Sequence, residues 1–322
     1  LIALAALVAL VSVFYPGFLS VEVQNDRLVG PVIDILKRSA PVALLAVGMT
    51  LVIATRGIDL SVGTIMAICG AAAAWALTAG LGAGAALALA LGAGLMAGLW
   101  NGVLVAVVGI QPFVATLILM TMGRGVAQLI TEGRILTFTD PGFSWLGSGT
   151  ALGLPVPVWI WLATAAAAAL LMRRTALGLL VEAVGINRRA ALLAGVNATV
   201  LLIAVYVASG FCAALAGIIV TADIRGADAN NAGLWLELDA ILAVVIGGNS
   251  LLGGRFSIAA SVLGALIIQT ISAGILLAGF ASEYNLIIKA GLVLVILILQ
   301  SPRIASEWRL WRDSHRAQGG RA

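Results

Sequence analysis

Several long stretches of the chain carry no charged side chain, and they constrain the fold more than any other feature. Residues 60–108 and 256–282 contain no Asp, Glu, Lys, Arg or His. A helix crosses the roughly 30 Å apolar core of a bilayer with about 20 residues, so each stretch is long enough for a crossing. Over all 322 residues, 62% are hydrophobic and 10% are charged, whereas soluble domains carry about 25% charged residues. The sequence predicts an all-α polytopic membrane protein.

Apolar runs recur along the chain and predict about ten transmembrane helices. Residues 1–14 lack a small-residue cleavage site, so we expect the remainder of a first membrane helix there rather than a signal peptide. The 38 glycines predict close helix packing, because small residues let backbones approach where lipid provides no hydrophobic drive. Cys69 and Cys212 lie in apolar runs and are interpreted as core residues. The spans are expected at 1–14, 40–55, 60–79, 83–108, 112–131, 157–172, 198–222, 237–252, 256–279 and 284–301.

Arginines in two connecting segments predict the orientation. The segment 173–198 contains four arginines, and the segment 302–322 contains five. Because cytoplasmic loops are enriched in Lys and Arg, we expect both segments in the cytoplasm, with 1–301 as the membrane domain and 302–322 as a basic tail. An even number of spans then places both termini in the cytoplasm.

The remaining long connections, 15–39, 132–156 and 223–236, then face the external side. Lys37 and Arg38 depart from the charge rule, since they fall on that side. The 132–156 and 223–236 segments are the longest polar ones there and predict a docking surface for another protein. Asp223, Arg225 and Asp228 are its candidate residues.

Two glycine-rich breaks interrupt the apolar runs, and they predict interrupted helices. The first is "RGIDLSVG" at 56–63, near the inner side, and the second is "GGNSLLGGR" at 247–255. Aligning Gly57 with Gly248 brings Gly63 onto Gly254. Glycine supplies backbone freedom where a helix stops and restarts. Paired interrupted spans are a sequence indication of a parallel repeat and of a translocation pathway.

Asp59, inside the first break, has two interpretations that are compatible with each other. It is an N-cap for the following helix in a tight cytoplasmic turn, since Asp is a preferred N-cap residue. Alternatively, it orders a half-helix whose N-terminus presents partial positive charge to a polar substrate.

Other polar residues inside apolar runs are candidates for a pathway. Gly94, Gly98 and Gly102 fall four apart, which predicts a helix-packing seam with Asn101 beside it. Arg124 and Gln128 lie one turn apart within a predicted span, where an arginine either serves function or extends outward to the interface. The full set of candidates is Asp59, Asn101, Arg124, Gln128, Asn249 and Gln269.

Several chemistries are excluded by the sequence. The sole histidine is His315, so neither a histidine-based zinc site nor a histidine-based catalytic triad is present. No G-x-x-x-x-G-K-[ST] motif occurs, so if ATP drives transport, another chain binds the nucleotide. The segment 173–198 is amphipathic and too charged to span. It is either a solvated loop or a short helix that docks on a cytoplasmic motor.

Four motifs together resemble the membrane subunits of bacterial ABC sugar importers of the ribose, xylose and galactose class. They are "GIDLSVG", "IQPFVATL", "EAVGINRRAALLAGVN" and "LELDAILAVVIGGNSLLGGR", in the family's order, and the similarity runs from about residue 30 to 300. The stretches 30–55 and 221–245 most resemble the permeases of galactofuranose importers. One departure is Arg56, where the family usually has glycine.

The resemblance implies an assembly in the bacterial inner membrane. It consists of two permeases, here expected to be different homologous chains, a cytoplasmic ATPase that binds ATP and Mg²⁺, and a periplasmic sugar-binding protein. Residues 182–197 match the family's coupling segment, with Glu182, Asn187, Arg188 and Arg189 as its polar residues. No cofactor and no nucleic acid are expected for this chain itself. Two alternatives remain at this point: an ion-gradient carrier using Asp59 and Arg124 as a charge relay, and a non-transporting scaffold.

Overall fold

The computed structural model describes residues 2–24, 27–279 and 284–300. The predicted basic tail at 302–322, with His315, lies outside the described residues. The chain divides into two compact units, residues 1–270 and 271–322, and every contact of the candidate site lies within the first.

Helices make up most of the described chain. They are α1 Ile2–Phe14, α2 Pro31–Arg38, α3 Ala40–Ala54, α4 Val62–Thr78, α5 Gly82–Val103 with a π-helical turn at Leu104–Val108, α6 Pro112–Thr131, α7 Pro141–Ser148, α8 Val156–Arg174, α9 Leu177–Ile186, α10 Arg188–Leu193, α11 Ala198–Ile224, α12 Leu236–Ile246, α13 Ile258–Leu277 and α14 Tyr284–Gln300. Three antiparallel strand pairs join connecting segments: β1 Glu22–Gln24 with β2 Arg27–Val29, β3 Leu136–Thr137 with β6 Gly226–Ala227, and β4 Thr150–Ala151 with β5 Leu154–Pro155.

Every predicted span contains a helix, but several of these helices are short. Within the described residues, five helices are long and apolar enough to cross a membrane by themselves, and α2 with α3, bent by 42°, makes a sixth if counted as one span. The helices α3, α4 and α12 have only 15, 17 and 11 residues. The chain is thus a multi-pass membrane protein, whereas ten full crossings stay a prediction.

The helix α11 packs closely against α5 along the predicted glycine seam. A Cβ atom at Gly98 would lie 2.4 Å from the Tyr206 carbonyl oxygen, and one at Gly94 would lie 2.7 Å from the Gly210 carbonyl oxygen. No side chain fits at such distances, so glycine sets the separation of the two backbones. The predicted packing seam is confirmed.

Connecting segments gather at two ends of the first unit, here named after the helix found at each. At the α7 end, β3 pairs with β6, the Leu28 amide donates to the Gly153 carbonyl at 2.9 Å, and the Lys37 ammonium lies 2.6 Å from Asp223. At the α9 end, the Gly254 amide donates to the Ala54 carbonyl at 2.9 Å. The three segments predicted to share the external side therefore meet at the α7 end.

The departure of Lys37 from the charge rule has a local explanation. Its positive charge is paired with Asp223, which lies in the last turn of α11. A carboxylate at this distance compensates the ammonium group wherever the α7 end lies relative to the membrane.

Candidate functional site

Asp59 lies inside the helix bundle and is fully buried. Its Oδ1 accepts hydrogen bonds from the Ser61 amide at 3.0 Å and the Ser61 hydroxyl at 2.6 Å, and its Oδ2 accepts from the Ser209 hydroxyl at 2.9 Å. The N-cap position of α4 is Ser61, and that helix has no side-chain cap, so the predicted N-cap role of Asp59 is wrong. Its carboxylate instead fixes the turn that precedes α4.

The depth of Asp59 corrects the expectation of a turn near the inner side. Ser209 lies near the middle of α11, and Gly48 in α3 packs against the same residue. The chain passes the depth of Ser209 once at Gly48 in α3 and again at Asp59. It therefore reverses at residues 54–57 and re-enters the bundle before α4 begins, which is why α4 is short.

Asn101 joins α5 to the Asp59 cluster. Its Nδ2 donates to the Ser61 hydroxyl at 2.8 Å, and the residue is fully buried. Its Oδ1 and the nearby Tyr206 hydroxyl are buried and have no hydrogen-bond partner among the described residues. Two of the six pathway candidates thus form one polar cluster, with Ser61, Ser209 and Tyr206 as members that sequence reasoning missed.

The glycines of the first break serve a different purpose from the one predicted. The left-handed backbone belongs to Arg56, with φ 65°, whereas Gly57 and Gly63 provide space. A Cβ atom at Gly57 would lie 2.7 Å from the Tyr206 hydroxyl, and one at Gly63 would lie 2.3 Å from the Gly233 carbonyl oxygen.

In the second break the glycines do supply backbone freedom. Gly248 and Gly254 have φ values of 86° and 91°, which glycine adopts without steric cost. Because Gly57 and Gly63 lack positive φ, the aligned glycine pairs differ in conformation. The parallel repeat suggested by the alignment is therefore not visible at these positions.

Asn249 organises the second break as Asp59 organises the first. Its Oδ1 accepts from the Ser257 amide at 2.6 Å, and its Nδ2 donates to the Ser261 hydroxyl at 2.9 Å. The Ser261 and Thr50 hydroxyls are 2.6 Å apart, which connects α13 to α3. Each break is thus held by one buried Asp or Asn.

Arg124 and Gln128 bind the loop at 228–233 rather than the Asp59 cluster. Arg124 donates to the carbonyls of Ala229 and Ala232 at 2.9 and 2.6 Å, and the Gln128 amide donates to Asn230 at 2.8 Å. Arg124 therefore extends outward to the α7 end. Its hydrogen-bond partners are not shared with Asp59, so the two residues do not form a continuous hydrogen-bonded relay within the described chain.

Gln269 lies apart from both groups, at the edge of a polar cavity at the α7 end. The cavity has a volume of about 410 Å³, and its polar lining residues are Asp34, Lys37, Arg38, Asp223 and Gln269. The six predicted pathway candidates therefore lie in four separate places.

The predicted docking residues at the α7 end differ in what they do. Asp223 is paired with Lys37, and Arg225 ends α11 in a left-handed conformation, with its carbonyl accepting from the Phe138 amide at 3.2 Å. Asp228 shapes the exposed loop by accepting from the amides of Asn230 and Asn231. The Asn231 side chain, which donates at 2.8 Å, is the main cause of the lowered pKa of Asp228.

The predicted coupling segment folds into two short helices at the α9 end. Asn187 caps α10, since its Oδ1 accepts from the amides of Arg189 and Ala190. Arg188 donates to the Ala106 carbonyl in the π-helical turn at 3.2 Å. Glu182 lines a cavity of about 280 Å³ next to the second break.

Comparison with known proteins decides the family. The family described as "Branched-chain amino acid transport system / permease component" matches residues 32–297. The chain belongs to this permease family. No solved structure matches it.

The relatives of this permease are sugar transporters. It is 61% identical to the galactofuranose transporter permease protein YtfT of Escherichia coli (strain K12), over 95% of this chain and 90% of the relative. It is 42% identical to the fructose import permease protein FruF of Bifidobacterium longum, over 94% and 87%, and 40% identical to the ribose import permease protein RbsC of Escherichia coli (strain K12), over 94% and 93%. The chain is thus a permease of the sugar ABC importer family, a transport subunit and not an enzyme in itself.

The surface of α10 carries exposed apolar side chains beside a basic one. Leu192 and Leu193 are 62% and 90% exposed beside the exposed Arg189. Exposed apolar residues rimmed by charge are characteristic of protein interaction sites. The sequence indicated this segment through its arginines, whereas its leucines gave no signal, because their exposure depends on the fold.

Proposed function

We propose that this permease is the membrane subunit of an ATP-driven importer for galactofuranose in the bacterial inner membrane. The observation that carries the proposal is its 61% identity to a galactofuranose permease, against 42% and 40% for fructose and ribose permeases. The identity extends over 95% of the chain, so the resemblance includes the Asp59 cluster and both breaks.

Coupling to a cytoplasmic ATPase is assigned to residues 173–198. The exposed Leu192, Leu193 and Arg189 on α10 support this assignment, because an apolar patch with a basic rim suits a groove on another protein. Asn187 caps α10, and Arg188 connects it to the π-helical turn. The ATPase supplies the ATP and Mg²⁺ sites that this chain lacks.

Two further partners belong to the proposed assembly. A second, homologous permease completes the pathway, and a periplasmic sugar-binding protein docks at the α7 end around Asp223, Arg225 and Asp228. The loop at 228–233 is held in shape by Arg124 and Gln128, which supports a role as a preorganised docking surface.

The sugar needs only weak polar sites along its route, because the binding protein performs the initial capture. Asn101, whose Oδ1 has no partner, and Gln269, in the polar cavity, are the candidates with free hydrogen-bonding capacity. Asp59 and Asn249 hold the two breaks in this conformation. Their part in the route is structural, because they fix the segments that precede α4 and α13.

The proposal is tested by purifying the chain with its neighbouring gene products and reconstituting the complex in liposomes. We expect an ATPase to co-purify, and ATP-dependent uptake of galactofuranose in the presence of the binding protein. Ribose and fructose serve as matched control sugars. Equal uptake of either control sugar would refute the substrate assignment, and uptake driven by an ion gradient without ATP would refute the transport class.

A further inference from the structure

We propose that Arg56 transmits movement of the coupling segment to both breaks. This inference rests on the proposed function and adds a positioning residue to it. Arg56 follows α3, and its side chain bridges two other segments: Nε donates to the Leu252 carbonyl at 2.9 Å, and Nη2 donates to the Ile186 carbonyl at 2.7 Å. One guanidinium thus connects the first break, the second break and the end of α9. We name this contact the Arg56 junction.

Close backbone packing reinforces the Arg56 junction. The Gly254 amide donates to the Ala54 carbonyl at 2.9 Å. A Cβ atom at Gly185, the penultimate residue of α9, would lie 1.9 Å from the Ala54 oxygen and 2.9 Å from the Gly254 nitrogen. The end of α9 therefore touches both breaks at one point. Since packed backbones do not compress, a displacement of this end has to move the breaks or lose the contacts.

Cavities on two sides give α9 room to move around the junction. One of about 270 Å³ is lined by Arg56, Val184, Arg188 and Tyr206 together with Gly57 of the first break. The other, of about 280 Å³, is lined by Glu182 and by residues 256–258, which follow the second break. The helix is thus fixed at the Arg56 junction and loosely packed beside it, which is the arrangement a rocking element requires.

The backbone conformation at Arg56 favours glycine, which indicates that the arginine side chain has a function. Its φ of 65° is a conformation in which glycine has no steric cost and other residues are disfavoured. Arginine at this position therefore carries a conformational cost, which its two side-chain hydrogen bonds offset. A substitution by glycine removes both the backbone strain and the two hydrogen bonds. The effects on stability then offset each other, whereas the connection between the segments is lost.

The test compares Arg56→Gly and Arg56→Lys in the reconstituted complex with its ATPase, partner permease and binding protein. For Arg56→Gly we expect normal assembly, unchanged or higher thermal stability, and a ratio of ATP hydrolysed to sugar imported that rises about fivefold or more, the lower end of ordinary coupling between sites. Arg56→Lys keeps one charged donor and should restore part of the coupling. Leu152→Gly is the matched control, since it relieves another positive φ, 51°, far from the junction.

A second measurement follows the Arg56 junction directly. In the wild-type complex, ATP should change amide hydrogen exchange in peptides covering 182–190 and 250–256 together. In Arg56→Gly only the first peptide should respond. A wild-type ratio of ATP to sugar in Arg56→Gly, or exchange at 250–256 that ignores ATP in the wild type, would overturn the inference. Failure of any ATPase to co-purify would instead refute the proposed function.

Discussion

At the scale of single residues, Asp59 holds the start of α4 through three accepted hydrogen bonds. We predict that Asp59→Asn retains most of the thermal stability and uptake, because the Oδ1 of asparagine can still accept from the Ser61 amide and hydroxyl. Asp59→Ala should lower the melting temperature strongly, since each buried donor left unpaired costs about 1–3 kcal/mol. Melting curves in detergent and uptake assays measure both effects. A folded Asp59→Asn variant without uptake would show that the charge itself takes part in transport.

Space, not conformation, is what Gly63 provides. We expect Gly63→Ala to reduce expression and stability, because the new Cβ would lie 2.3 Å from the Gly233 carbonyl oxygen. Gly92→Ala is the matched control within a neighbouring helix, where nothing lies within 4 Å. Yields of monodisperse protein compare the two variants. Equal yields would indicate that α4 and residue 233 shift apart easily.

The sequence identified Asp59 and Asn101 as polar residues in apolar surroundings, and the structure places them in one cluster. It also predicted that Gly57 and Gly63 supply backbone freedom at the first break, whereas the residue with positive φ there is Arg56. Glycine frequency indicates that a chain needs either freedom or space, and only the neighbouring atoms decide between them. Ser61 and Ser209 gave no signal, because serine hydroxyls in membrane helices usually bond to the nearby backbone. Tyr206 gave none, because its position in the cluster depends on the fold.

At the scale of elements, α10 combines a fixed side and an exposed side. Ala191 is buried, and Arg188 donates to the π-helical turn. By contrast, Arg189 and Leu193 are exposed and make no contact of this kind to another helix within the described part of the chain. We predict that Arg189→Glu weakens ATPase association while the membrane fold is retained, as measured by co-purification and size-exclusion chromatography. Arg174→Glu, at the end of α8, makes the same charge change outside α10 and serves as control. An equal loss in both variants would point to general charge repulsion instead of an α10 interface.

The positions of the helices were predictable because each apolar run ends at a cluster of polar or glycine residues. The bounds of α3 agree with the predicted span to within one residue, whereas α4 and α12 are shorter than the apolar runs that contain them. Re-entry at 54–61 buries polar backbone in the bundle, and Asp59 satisfies part of it. Hydropathy counts apolar residues and carries no information about where the chain reverses, so the reversal depth was missed.

At the scale of the whole molecule, the orientation in the membrane can be tested at two exposed leucines, one at the α7 end and one at the α9 end. Leu152 is 89% exposed in the turn between β4 and β5 at the α7 end, and Leu193 is 90% exposed at the α9 end. Both native cysteines are buried, so single cysteines introduced at these positions give a clear signal.

We predict that a membrane-impermeant maleimide added to intact cells, with the outer membrane permeabilised, labels Leu152→Cys and leaves Leu193→Cys unlabelled. The reason is the positive-inside rule, since the arginines of 173–198 gather at the α9 end, where α10 must also meet a cytoplasmic ATPase. Opening the inner membrane should make Leu193→Cys reactive, which controls for its accessibility. Labelling of Leu193→Cys in intact cells would place α10 outside, where no ATPase reaches it. The coupling role of α10 and of the Arg56 junction would then fail together, while the Asp59 cluster would keep its structural role.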